Sequence, residues 1–276
     1  MIPGVRDTYD KTLILAGLNR GARSVLAGLE VLDEVGSTNN VILEMPPVQR
    51  HAHAVLADQQ TVGRGRRKRP WHSPPGGNIY LSLGWQFDKP RWPLSTLPLV
   101  VALAVCQALD RAGLSSHGIK WPNDILSGGR KLAGILVEMQ SAGTGPALAV
   151  VGVGLNVRMP GQDANQLAAA IDRPWTDLCS ELAPDNAAVN RNDLATWLLN
   201  ELFESIGVFE TYGFEVFRPA WAERDVLRGR TISLDYNARQ LSGCAVGVDR
   251  DGGLLLETAT EGIRVFHSGE VSVHRD

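Results

Sequence analysis

The sequence predicts an α+β fold, with a mixed or antiparallel central sheet flanked by helices and a small C-terminal β-barrel. Three observations carry this prediction. Apolar stretches of strand length recur between residues 30 and 157, and two of them, 132–139 and 148–157, are joined only by the turn-rich 141–146, as in a hairpin. Two long segments, 97–114 and 193–209, are patterned as helices. After Arg228 the texture changes to short alternating strands, with Asp251-Gly252-Gly253 as a tight turn.

Taken in order, residues 12–32 mix apolar and small side chains without a firm period and suggest one short helix. Residues 1–30 are therefore left as an N-terminal extension. Residues 30–35 read as a strand, and Ser37, Thr38, Asn39 and Asn40 then offer N-cap oxygens ahead of Val41, Ile42 and Leu43, so a helix follows. Residues 53–58 form a strand that delivers Gln59 and Gln60 to a basic loop. In 78–86, Ile79, Leu81 and Leu83 share one face while Tyr80, Ser82 and Gly84 share the other, which leaves one face to meet a ligand. The apolar helix 97–114 ends with Gly113 at a C′ position. Residues 119–121 give a further short strand. In 193–209, Leu194, Trp197, Leu198, Leu202, Phe203, Ile206 and Phe209 recur at helical spacing and face a core. Strands at 231–236, 240–248, 254–258 and 263–266 complete the chain. The expected division is a main domain over 31–227 and a barrel over 228–276.

Composition narrows the function. A formal net charge of −3 argues against a general polyanion binder, so any anion recognition is local. Cys106, Cys179 and Cys244 are widely spaced and fit neither a disulfide framework nor a zinc site; buried, reduced thiols are expected. The start of the chain has no leader pattern, and no uninterrupted apolar run has the length of a membrane span. A cytoplasmic protein without a membrane partner is the expectation.

Four clusters carry chemistry. Residues 63–69 place cations at Arg64, Arg66, Arg67, Lys68 and Arg69, while Gly63 and Gly65 let backbone N–H groups approach a polyphosphate or carboxylate. A solvated surface or a nucleic-acid patch is the bland reading of the same run. Lys120-Trp121-Pro122-Asn123-Asp124 gathers a cation, an amide and a carboxylate, and Asp124 suits magnesium held against phosphate oxygens; a strand-end turn capped by Asp124 is the alternative. Lys131-Leu132-Ala133-Gly134-Ile135-Leu136-Val137-Glu138 opens a strand with a lysine and leaves room beside Gly134. In Gly152-Val153-Gly154-Leu155-Asn156 an apolar strand is interrupted by glycines and ends with an amide.

In this order and spacing the clusters resemble the biotin protein ligase family, over about residue 31 to the C-terminus, and residues 268–272 are similar to that family's terminal strand. The resemblance implies a class II synthetase-like catalytic domain and an SH3-like C-terminal barrel. It implies an enzyme that joins biotin to ATP with release of pyrophosphate, then passes the biotinyl group from biotinyl-5′-AMP to a lysine of the carboxyl carrier protein of acetyl-CoA carboxylase. By motif position the catalytic residues are Lys131, Arg66 and Asp124, with Asp124 also at Mg²⁺. Biotin falls to Ser37, Thr38, Asn39, Gln60, Gly63, Arg64, Gly65, Arg66, Tyr80, Ser82, Lys131 and Gly134. The nucleotide falls to Arg66, Arg69, Trp71, Lys120, Asn123, Asn156 and Glu270. The loop is expected to be mobile without ligand and to order over the reactive adenylate, excluding water.

Two departures stand out. Lys68 replaces the glycine usual at its position, and Pro70 stiffens the loop exit. Thirty poorly patterned N-terminal residues are too few for the winged helix-turn-helix repressor domain of some family members, so no operator binding is expected; homodimerisation, which occurs in the family, is left open. The competing functions are lipoate attachment, which shares the catalytic fold and adenylate chemistry, a biotin sensor that binds without transfer, and a nucleic-acid binder resting on Arg64 to Arg69.

Overall fold

The computed structural model describes residues 8–141, 145–159, 174–183, 189–237 and 239–273. Its centre is a seven-stranded mixed sheet. The strands are β1 (Gly28–Val35), β2 (His53–Gln60), β3 (Ile79–Phe87), β4 (Gly118–Lys120), β5 (Asp124–Ser127), β6 (Arg130–Ser141) and β7 (Ala147–Leu155), in spatial order β1-β2-β3-β7-β6-β5-β4. Only β1 and β2 run parallel; every other neighbouring pair is antiparallel. The expected hairpin between β6 and β7 forms, although residues 142–144 of its turn lie outside the described residues.

The two faces of this sheet differ because the strand residues alternate. Leu56, Ile79, Leu81, Leu83, Val151, Val153 and Ile135 point to one face and join the main core with α4 (Leu97–Arg111). Eleven residues of α4 are buried, which explains why its sequence is apolar almost all round: it lies between the sheet and a long helix, α6 (Arg191–Tyr212). The stretch Leu94–Arg111 is long and apolar enough to cross a membrane, yet 67% of it is buried inside the fold, as befits a core helix. On the opposite face, α3 (Thr38–Glu44) covers one end through Ile42 against Val55 and Val150. The rest of that face is left to a cleft.

Residues 12–32 hold two short helices and the start of a strand, where one helix was expected. Asp10 caps α1 (Lys11–Gly17) and Asn19 caps α2 (Arg20–Val25), each by accepting N–H bonds of the first turn. Both caps are themselves anchored on α6, the Asp10 N–H donating to Asn192 Oδ1 and the Asn19 N–H to Asn200 Oδ1. The extension is thus packed on the long helix.

Two short helices, α5 (Leu178–Glu181) and α7 (Arg218–Arg224), lie on either side of α6 in sequence. The C-terminal unit is a five-stranded antiparallel sheet of β8 (Thr231–Tyr236), β9 (Arg239–Val248), β10 (Leu254–Thr258), β11 (Gly262–Phe266) and β12 (Glu270–Val273), in order β11-β10-β9-β8-β12. Among the described residues β11 and β12 do not pair, so the expected barrel is not closed by a ladder. The sheet still curves, through a bulge in β9 opposite Leu255 and Leu256. It docks by its Asp251-Gly252-Gly253 turn, where a Cβ on Gly252 would lie 2.8 Å from Leu99, and Trp121 Nε1 donates to the Gly252 carbonyl at 3.0 Å. All three cysteines are free, but only Cys106 is buried, its thiol pushed up to about 12 by desolvation; Cys179 and Cys244 are half-buried.

Candidate active site

The floor of the cleft is made by three central strands. Gly134 on β6 pairs with Gly154 on β7, which pairs with Tyr80 on β3; one step along, Leu136, Gly152 and Ser82 form the next rung. The glycines are required by what lies on them. A Cβ on Gly154 would sit 2.5 Å from the Trp71 indole and one on Gly134 2.9 Å from it, while a Cβ on Gly152 would meet Asn39 Oδ1 at 2.6 Å. The floor is flat so that an aromatic and an amide can lie across it.

At the closed end, α3 delivers Thr38 and Asn39, both buried. Ser37 is the N-cap residue, yet its side chain makes no cap bond, and the polar side chains of this turn serve the cleft instead. The Thr38 backbone N–H and hydroxyl both donate to Gln60 Oε1, and Gln60 Nε2 donates to Ser73 Oγ at 3.1 Å. The Ser82 hydroxyl lies 2.7 Å from Thr38 Oγ1 and 2.5 Å from Asn39 Oδ1. Ser82 is completely buried and does not reach the cleft wall, so it sits beneath Thr38 and Asn39 and orients them, where direct contact with a ligand was expected.

The basic loop crosses the cleft as a narrow hairpin. The Trp71 N–H donates to the Gly63 carbonyl at 2.8 Å and the Gly65 N–H to the Arg69 carbonyl at 2.7 Å. Arg67 and Lys68 at its tip have φ of +57° and +60°, left-handed values that cost a side-chain-bearing residue roughly 1–2 kcal/mol. That is the physical sense of a glycine at the Lys68 position. Beyond the tip, Trp71 turns inward over Gly134 and Gly154, and Lys131 Nζ stands 5.1 Å from the centre of its ring.

Five of the cleft's cations, Arg64, Arg66, Arg67, Arg69 and Lys131, meet a partner from another element. Lys131 Nζ is 2.7 Å from Asp124 Oδ1. A bulge produces this pair: Ile125 faces Ala133 but Leu126 faces Lys131, so β6 has one extra residue, and Lys131 is turned to the face shared by Gly134 and Asp124. Arg66 donates to Asn123 Oδ1 at 3.1 Å, and Asn123 is fixed because its Nδ2 donates to the Ile135 carbonyl at 2.8 Å. Burial, reinforced by the charge of Arg67, pulls Arg66 below the usual guanidinium pKa, with Asp124 opposing; a guanidinium stays charged at neutral pH all the same. Arg64 bridges to Glu138 at 3.1 Å and also donates to Asn40. Arg67 and Arg69 both reach Glu270 at the head of β12, so the C-terminal sheet holds the loop tip by a carboxylate.

All the residues singled out in the sequence, Ser82 excepted, line this one cleft of about 1450 Å³. Among them Lys120 lines the cleft wall and Asn156 is buried at the floor's end, donating to the Thr176 carbonyl at 3.0 Å. The volume exceeds the roughly 300–1,000 Å³ usual for a single small-ligand pocket, which suits two substrates side by side. Sequence reasoning missed Trp175, which the pairing of residue 175 with Lys131 brings to the wall, and Ser73, which ties Gln60 to the Trp71 carbonyl. It also gave Glu138 no role. Among the described residues no three His, Cys, Asp or Glu side chains cluster as a metal cage. One carboxylate, Asp124, beside a phosphate-sized basic wall fits a magnesium ion carried chiefly by phosphate oxygens and water.

The comparisons with known proteins agree with this geometry. The biotin/lipoate A/B protein ligase family profile matches residues 35–156 and the biotin protein ligase C-terminal domain profile matches residues 229–273. The chain is 32% identical over 260 residues to the bifunctional ligase/repressor BirA of Escherichia coli, covering 91% of this chain and 77% of that protein. It is 33% identical to the biotin–[acetyl-CoA-carboxylase] ligase of Paracoccus denitrificans, covering 87% and 98% respectively. Among solved structures, the Aquifex aeolicus biotin protein ligase in complex with biotin and ATP superposes with a TM-score of 0.73 at 28% identity, over 90% of this chain and 99% of that one. With the motifs gathered on one cleft, the mixed sheet and these relatives in place, the chain belongs to the biotin protein ligase family.

Proposed function

We infer that this protein is a biotin protein ligase: it activates biotin with ATP to biotinyl-5′-AMP and pyrophosphate, then transfers the biotinyl group to a lysine of a protein. The observation that carries this reading is the convergence of Arg64, Arg66, Arg69 and Lys131, from two separate stretches of chain, on one cleft with a polar closed end. Joining two anions needs charge neutralisation already in position when the carboxylate oxygen attacks the α-phosphorus. Lys131, now paired with Asp124, is placed to exchange that partner for the biotin carboxylate and the α-phosphate. Arg66, steadied by Asn123, holds the adenylate phosphate.

Thr38, Asn39 and Gln60 present donors and acceptors for the ureido ring, and Tyr80 and the glycine floor give the apolar wall. Lipoate has no group to satisfy that polar end. Leaving buried polar groups unpaired discriminates strongly against an analogue that lacks the matching group. In the second step the acceptor amine attacks the acyl carbonyl, AMP leaves, and the amine gives up a proton; Asp124 orients the amine and accepts that proton. Magnesium, when bound at Asp124, neutralises phosphate charge. The acceptor we propose is the carboxyl carrier of acetyl-CoA carboxylase, a reading supported by the name of the Paracoccus relative. ATP–pyrophosphate exchange with each acid tests the first step. Exchange stimulated by biotin and not by lipoate supports the assignment; equal stimulation by lipoate overturns it.

A further inference from the structure

Glu138 stands near the end of the cavity-facing row of β6, at a half-exposed position where a carboxylate needs a reason to be. It has two. Asn39 Nδ2 donates to Glu138 Oε2 at 2.7 Å, and the Arg64 guanidinium meets both carboxylate oxygens at 3.1 and 3.2 Å. The first contact fixes an amide. An ionised carboxylate accepts only, so it holds the Asn39 NH₂ and forces Oδ1 the other way, over Gly152 and against the Ser82 hydroxyl. An acceptor oxygen is thereby presented at the closed end of the cleft. The second contact fixes the first cation of the basic loop, which also reaches Asn40 on the same helix turn.

We propose that Glu138 is a positioning residue that couples recognition of the biotin head group to closure of the basic loop, by orienting the Asn39 amide with one carboxylate oxygen while anchoring Arg64. This inference rests on the reading of the chain as a biotin ligase and deepens it. Chain continuity runs from Ser82 through Asn39, Glu138 and Arg64 to the hairpin that carries Arg66. A ligand N–H bonded to Asn39 Oδ1 polarises the amide and strengthens its hold on Glu138, which steadies the loop entrance. Charge strengthens the device. Oε2 accepts from both Asn39 Nδ2 and Arg64, so a glutamine whose oxygen takes that place keeps two neutral-acceptor bonds, loses the charge that reinforces them, and sets its NH₂ against the guanidinium in place of Oε1.

The test is Glu138→Gln, with Arg64→Gln as a second variant that cuts the same link from the other end, and the double variant to close the cycle. Biotin affinity is read by titration calorimetry, and adenylate release by the half-life of isolated biotinyl-5′-AMP complex. Losing a charge-assisted bond at a half-buried site corresponds to about a 10- to 100-fold change. Both single variants should raise the biotin Kd and shorten adenylate retention by that factor, leave the KM for ATP in biotin-dependent pyrophosphate exchange within about twofold, and be non-additive in the double variant. If E138Q folds with an unchanged thermal midpoint and binds biotin as the parent does, Glu138 has no such role. Additive losses refute the coupling while leaving separate structural effects. Should the parent protein itself bind no biotin, the underlying ligase assignment fails instead, and the two failures are told apart by that control.

Discussion

Glu270 is the residue by which the C-terminal sheet reaches the active site, and Glu270→Gln measures what that reach contributes. Its side chain is 17% exposed and receives both Arg67 and Arg69, whose own side chains are about half exposed at 53% and 49%. Arg69 engages both carboxylate oxygens, a fork-to-fork pairing stronger than a single ion pair. Burial of the carboxylate raises the value above that of a surface bridge, while exposure of the arginines and screening by salt reduce it, so an intermediate figure of about 1–2 kcal/mol is expected. The amide keeps one acceptor and loses the charge. At about 1.4 kcal/mol per decade, the strained tip carrying Arg67 and Lys68 should open roughly 5- to 30-fold more often. The assay is decay of preformed biotinyl-5′-AMP on the protein, which should accelerate by that factor, together with hydrogen exchange across residues 63–71. Raising salt should narrow the gap between parent and variant. Unchanged decay in E270Q would show that the C-terminal sheet does not hold the loop.

Three further outcomes follow from the same geometry. Lys131→Ala removes the cation that the β6 bulge turns onto Asp124 and should slow biotin-dependent pyrophosphate exchange by about 10²- to 10⁴-fold, the range for losing a transition-state electrostatic contact; near-parent exchange refutes its role. Gly154→Ala places a Cβ 2.5 Å from the Trp71 indole, so the ring must move at a cost of about 1–3 kcal/mol, seen as a lowered thermal midpoint and a raised KM for ATP, whereas Gly65→Ala, whose nearest atom is 3.8 Å away, should leave the thermal midpoint unchanged. Asp225 is pushed up to about 6 by desolvation, one oxygen having no partner while the other accepts from the Leu227 N–H. With its unfolded value at 3.8, its contribution to stability is full below that pH and is lost as pH rises through 6, so at pH 7.5 the buried charge costs up to about 3 kcal/mol. Asp225→Asn should therefore raise the thermal midpoint at pH 7.5 and flatten its fall between pH 4 and 6; an unaltered pH profile in differential scanning calorimetry contradicts this.

The parts legible in the sequence are those set by local pattern. Alternation along β3 announced both its core face and its cleft face, and the apolar character of α4 announced its burial. The order of the four motifs pointed to the cleft before any strand order was known. What escaped reading is held by distant partners. The two N-terminal helices are six and seven residues long, too short to stand alone, and are anchored to Asn192 and Asn200 across more than 180 positions of chain. The bulge that turns Lys131 is invisible in composition, because a one-residue insertion leaves no signature in an apolar strand. Ser82 falls on one of the family's biotin positions and shares a face with Tyr80, yet α3 covers it, and only the packing of Thr38 and Asn39 reveals that. The strand β5 is four residues long and follows directly on a turn, too little to carry a period. Glu138 lies inside the Lys131–Glu138 motif, yet its two partners come from α3 and from the loop, which no spacing argument brings together.

On this reading, one cleft both makes an acyl-adenylate and hands it to a protein amine. The measurement closest to that claim is mass spectrometry of a purified carboxyl carrier domain incubated with this chain, biotin, ATP and magnesium. Stoichiometric gain of one biotinyl group on a single carrier lysine, abolished by omitting ATP, is the predicted result. Adenylate formation without any transfer to the carrier would contradict it.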